Sequence, residues 1–210
     1  MRLKKYRLLT LISIFLSLTA CARPQAISPE QAQTEVRKAW QADQHAVWTL
    51  DWPAAPTPGP LTVEIWRSGD RYRLEILEAP APALIGETLV VKGETAWRYN
   101  RFQPSPLKPV TSPVLSPVTD LLNLVDQLLQ TPVVAAEQEV TQLNYNPAQK
   151  IGLTFSDGTE LQFWQEVETG LPVRLILVAK GQQLELEAHQ VEPLLDPIEG
   201  LFQVGEWVYP

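Results

Sequence analysis

The sequence is poor in the residues that make covalent and metal-held structure. Its 210 residues include one cysteine, one methionine and two histidines. A single cysteine closes no disulfide within the chain, so the fold has to be held by a hydrophobic core. His45 and His189 have no cysteine or carboxylate at the spacing of a metal site, which predicts neither a metal nor another cofactor. The patterns G-x-S-x-G, G-x-G-x-x-G and the phosphate-binding loop are all missing, and Ser156-Asp157-Gly158 reads as a turn. An enzyme is therefore the weakest functional class. Positive charge is also scarce, with 17 basic against 24 acidic residues and a net charge of −7. Such a balance argues against nucleic acid and against electrostatic docking on anionic lipid. The longest apolar run, Leu8 to Ala20, is too short to span a bilayer comfortably.

What that run does resemble is a secretory signal. Met1 to Arg7 (MRLKKYR) supplies a basic segment, and LLTLISIFLSLTA follows without a charge. Leu18-Thr19-Ala20-Cys21 then resembles the lipobox of bacterial lipoproteins. The resemblance implies that Cys21 is the lipid attachment site, that residues 1–20 are a cleaved signal, and that acyl chains such as palmitate hold the protein in a membrane. Without Arg2, Lys4, Lys5 and Arg7 the basic residues fall to 13 against 24 acidic, a net charge near −11. Attachment would then rest on the acyl chains, at about 0.8 kcal/mol per buried methylene. Residues 21–27 form a tether of at most roughly 20 Å, so the folded part begins close to the lipid. The expected domain is 28–210, long enough for one sizeable core.

Ser28-Pro29-Glu30-Gln31 reads as a helix start, with Ser28 as N-cap and Gln31 completing a capping box. Ala32, Val36 and Trp40 share one face of a helix predicted to reach about Gln44. The apolar period then changes to two. Trp48, Leu50 and Trp52 alternate with Thr49 and Asp51, followed by Leu61, Val63 and Ile65, and by Tyr72, Leu74 and Ile76. A hairpin over 89–99 turns at Lys92-Gly93-Glu94 and puts Trp97 and Tyr99 on one face. Residues 102–117, with five prolines, read as irregular. Ser116-Pro117 opens a second helix whose stripe is Val118, Leu121, Leu122, Val125, Leu128 and Leu129. Strands are predicted near 137–144, 150–156, 159–166, 172–179 and 182–191, and 202–208 reads as an edge strand. The order is helix, about five strands, helix, about five strands.

Three stretches carry a resemblance. GETAWRYNR (93–101) looks like the G-x-x-x-W-x-Y hairpin of the bacterial lipoprotein-carrier superfamily, LolA/LolB-like and related to the RseB/MucB regulators. EVETGLPVRL (166–175) is similar to its D-x-x-T-G-L-P-x-R hairpin, and DPIEGLFQV (196–204) to its closing hydrophobic-aspartate-phenylalanine segment. The resemblance covers roughly 29–205. It implies an α+β fold: a strongly curved antiparallel sheet of about ten strands, an unclosed half-barrel with helices packed in its concave face. It also implies a cavity for acyl chains or other apolar groups. The chain departs from soluble carriers in its anchor cysteine and in proline-rich loops at 53–60 and 102–117. Ala22 after the anchor would permit outer-membrane sorting where a cell has that system.

The expected lining is Trp48, Leu50, Trp52, Tyr72, Leu74, Trp97, Tyr99, Leu122, Val125, Leu129, Phe155 and Phe163. The same aromatics also fit a plain filled core. Trp66 and Trp164 fall on the opposite parity and would cover the back of the sheet or mark a partner surface. Three roles stay open: a lipid-anchored carrier or acceptor of an acyl chain, an RseB-like sensor binding a membrane protein, and a structural lipoprotein.

Overall fold

The computed structural model describes residues 25–51, 53, 59–93, 95–110, 117–195 and 199–202, with side chains except at 25, 103–110, 117–121 and 199. Twelve strands form one antiparallel sheet in the order β1-β8-β9-β10-β11-β12-β2-β3-β4-β5-β6-β7. They are β1 (Gln25–Ala26), β2 (Gln44–Asp51), β3 (Leu61–Ser68), β4 (Arg71–Glu78), β5 (Glu87–Lys92), β6 (Thr95–Asn100), β7 (Gln103–Val110), β8 (Val133–Leu143), β9 (Asn146–Phe155), β10 (Glu160–Glu166), β11 (Pro172–Ala179) and β12 (Gln182–Pro193). The helices are α1 (Pro29–Trp40) and α2 (Pro117–Leu128). The sheet is thus two meanders, β2–β7 and β8–β12, joined where β12 pairs with β2. Its two edges, β1 and β7, do not pair with each other, so the barrel stays open.

Alternation decides which face is inside. Trp48 pairs with Val63, Val63 with Ile76, Ile65 with Leu74, and Leu74 with Leu89. On the other side Leu50 pairs with Leu186, Leu186 with Leu175, Leu175 with Phe163, and Phe163 with Ile151. These residues all belong to one buried cluster, which also takes in Val36 and Trp40 of α1 and Leu122 and Val125 of α2. Strands at both ends of the sheet feed one core, so the sheet curls around it, as a right-handed twist allows. Each fully buried Leu, Ile or Phe contributes about 1.5–3 kcal/mol.

Several expectations are corrected. Residues 103–110 are a strand, not an irregular stretch. The prolines are tolerated because, among the described residues, β7 lies at the edge and pairs with β6 alone, so a missing N–H need break no ladder. With β7 and the two-residue β1 the count rises from about ten strands to twelve. Gln25 and Ala26, read as tether, pair with Gln138 and Glu137. The first helix stops at Trp40, since Gln44 already opens β2. Ser28 takes the extended N-cap backbone, but its hydroxyl donates to Glu30 at 2.6 Å and no capping box forms. Residues 199–202 form a 3-10 turn against β4 and β5, and the rest of the expected edge strand lies outside the described residues.

Candidate functional site

The two helices meet over the concave face. α1 packs on β8 and β9. The end of α2 is tied to it: the Gln33 amide donates to the carbonyls of Leu129 at 3.0 Å and Thr131 at 2.7 Å, and Arg37 donates to Leu129 at 2.5 Å. These bonds satisfy carbonyls that a helix C-terminus leaves without partners. At the other end of the contact, Trp40 Nε1 donates to Asp126 Oδ1 at 3.1 Å, and Arg67 donates to the Trp40 carbonyl at 3.2 Å.

Between α2 and the sheet lies a cleft lined by Trp40, Gln44, Trp48, Ile65, Arg67, Tyr72, Leu122, Asn123 and Asp126, with a free volume of about 30 Å³. Apolar walls end in a polar rim of Arg67, Asn123 and Asp126. Burial pushes the Tyr72 phenol above its ordinary pKa, and the nearby Asp126 carboxylate adds to the rise against the opposing pull of Arg67. The volume is that of a crevice holding a water or two. An acyl chain would need α2 to move aside.

Of the expected lining residues, Trp48, Leu50, Leu74, Leu122, Val125, Leu129, Phe155 and Phe163 share the one buried core, and Tyr72 packs against it. Only Trp48, Tyr72 and Leu122 border the cleft. Trp97 and Tyr99 are corrected: they stand on the outer face. Trp97 pairs with Val90, Val90 with Arg73, and Arg73 with Trp66, whereas the inward residue of β6 is Ala96. A strand has two faces at a period of two, and bulk alone does not say which one points in. Trp52 and Cys21 lie outside the described residues. Trp40, Arg67 and Asp126 went unrecognised as cleft residues. Their signal was partial: Trp40 belonged to an apolar helix face, but nothing local joined it to Asp126.

The outer face explains Trp66 and Trp164. His45 lies flat on Trp66, with ring centroids 5.0 Å apart and 4° between planes, and Arg73 sits 5.3 Å from the same indole. Lys150 and Arg174 stand 5.4 and 5.2 Å from the Trp164 ring, which they help to leave only 8% exposed. His45 also meets Glu64 and Glu192, each at 2.8 Å, partners that linear spacing did not disclose. Glu185 and Glu187 are on this face too, on a central strand, and Arg174 binds Glu185 at 2.6 Å. Among the described residues no group of histidine, cysteine and carboxylates is arranged to hold a metal, and no helix is long and apolar enough to cross a membrane. Two larger hollows are separate from this cleft. One of about 290 Å³ runs between the β8–β9 turn and the stretch 188–191, and one of about 280 Å³ lies over Gly152.

The curled, open antiparallel sheet with helices in its mouth is a fold that the chain shares with MucB. The chain is similar to a conserved protein from Thermus thermophilus, at 14% identity and a TM-score of 0.55, covering 86% of this chain and 96% of that one. It is also similar to MucB, at 14% identity and a TM-score of 0.53. In the Pseudomonas aeruginosa MucA/MucB complex the identity is 18% and the TM-score 0.50, with 84% of this chain and 62% of that one covered. The chain thus spans a little over three-fifths of the MucB chains it matches. No protein-family model matches the sequence. No curated protein matches it either.

Proposed function

We propose that this chain is a lipid-anchored protein of the cell envelope, on the extracytoplasmic face of a bacterial membrane, that holds an acyl chain or another apolar ligand. It would attach through acyl groups on Cys21 and receive, keep or pass on lipid-like cargo. The observation that carries the reading is the apolar cleft under α2, walled by Trp48, Ile65, Tyr72 and Leu122 and rimmed by charge. Movement of α2 would open this cleft into an apolar trough and uncover Leu122 and Val125, which now pack in the core. A second reading is supported by the likeness to MucB, which has been seen in complex with MucA: a sensor that binds a membrane protein.

Two measurements test the first reading. Solvent extraction of the purified protein, followed by mass spectrometry, should yield co-purified lipid. An apolar fluorescent probe should bind saturably to the wild type and be displaced by fatty acid. A folded protein with no saturable binding removes the carrier reading and leaves the sensor ahead. For the anchor, Cys21→Ser should release the protein from membranes or leave an uncleaved precursor, and fractionation identical to wild type would sink the lipobox assignment.

A further inference from the structure

Three exposed large apolar side chains, Val140, Tyr145 and Val167, lie towards one end of the sheet. β8 turns into β9 at Asn144 and Tyr145, whose φ angles are 51° and 71°. That left-handed conformation is one an asparagine accepts and a tyrosine rarely adopts. Tyr145 is also 96% exposed. Val140 is 63% exposed on β8, and Val167 is 55% exposed on the neighbouring loop, where its N–H donates to the Pro147 carbonyl at 3.1 Å. Residues 143–147 (LNYNP) contain no charge. A strained aromatic fully in water at the tip of an uncharged hairpin points to a contact made by that tip.

The register of β1 says what lies there. Gln25 pairs with Gln138 and Ala26 with Glu137, antiparallel. Followed towards its N-terminus, β1 therefore heads along β8 towards Asn144 and Tyr145. That turn is about 20 Å beyond Gln138 at roughly 3.4 Å per residue. The four residues from Gln25 back to Cys21 reach at most roughly 14 Å. The chain thus leaves β1 in the direction of this end, and the acyl anchor has at most that reach from Gln25.

We propose that the β8–β9 tip, with Tyr145 foremost and Val140 and Val167 behind it, rests in the interface of the bilayer that receives the Cys21 acyl chains. The proposal rests on the acylation of Cys21 put forward above. Tyrosine suits the headgroup level, with an apolar ring and a wet hydroxyl. Glu166 and Glu168 flank Val167, so the surface that fits is zwitterionic, since an anionic one would repel them. The contact would orient the half-barrel and turn the groove between the tip and 188–191 towards the lipid.

The test uses the full acylated chain in phosphatidylcholine vesicles. Acylation consumes the chain's one cysteine thiol, so Tyr145→Cys supplies a single free thiol for an environment-sensitive fluorophore. Val167→Cys is a second reporter that leaves the turn untouched. Lys180→Cys, in the turn between β11 and β12, lies at the opposite end of the strands, roughly 30 Å away. Nitroxide carried at the lipid headgroup should quench the labels at 145 and 167 several-fold more than the label at 180. Equal quenching at both ends, or stronger quenching at 180, in protein shown by intact mass to be acylated, overturns the orientation and leaves the anchor standing. An intact mass without acyl chains overturns both.

Discussion

Tyr72 and Asp126 show how single residues set the character of the cleft. The Tyr72 phenol is pushed up chiefly by burial. Its folded pKa lies above the ordinary value of 10.0, so the neutral phenol contributes stability that is fully present below that pH. The contribution is lost as pH rises through the higher folded value. In an alkaline absorbance titration Tyr72 should ionise above its ordinary range, and Tyr72→Phe should remove that late step. If all wild-type phenols ionise together, Tyr72 is not held in the cleft as described. The outer face carries a different residue-scale lesson. Its half-buried Trp66 is covered by His45 and Arg73 rather than by apolar partners, so an aromatic of the wrong parity need not be an open binding surface.

At the scale of elements, α2 is the piece whose role can be tested with least ambiguity. Val125 is fully buried, while its neighbour Leu124 is 38% exposed. Val125→Asp places a carboxylate against the inner face of the sheet and should cost on the order of 3 kcal/mol or more. Leu124→Asp, one position round the helix, should change stability by less than about 1 kcal/mol. Urea denaturation of the two variants separates them, and near-equal midpoints would mean that α2 does not pack by this face. The sequence announced this helix well, because its apolar stripe recurs at helical spacing from Leu122 to Leu129. It announced β7 poorly, because Pro104, Pro106 and Pro109 suppress every local strand signal, and only an edge position makes them acceptable.

For the whole molecule, the decisive property is which side of the sheet is inside. Trp48 lies in the core at 2% exposure, and Trp97 lies across the sheet on the outer face. Trp48→Glu should cost several kcal/mol or unfold the protein, because the carboxylate finds no partner there. Trp97→Glu should leave the fold and the probe affinity near wild type, at a cost of roughly 1 kcal/mol. Circular dichroism and the probe titration read both, and unfolding by Trp97→Glu would reverse the assignment of faces. The sequence by itself determined the alternation of β2 to β6 and of β9 to β12, the stripe of α2, and the turns at 156–158 and 180–181. Those features depend on neighbours within a few residues, whose side chains and backbone preferences act locally. Only the tertiary structure decided that Trp97 and Tyr99 point outward, that Glu64 and Glu192 come to His45, and that Asp126 meets Trp40 at the cleft. Each of these joins residues far apart in the chain through sheet register and helix docking, and no local pattern encodes either.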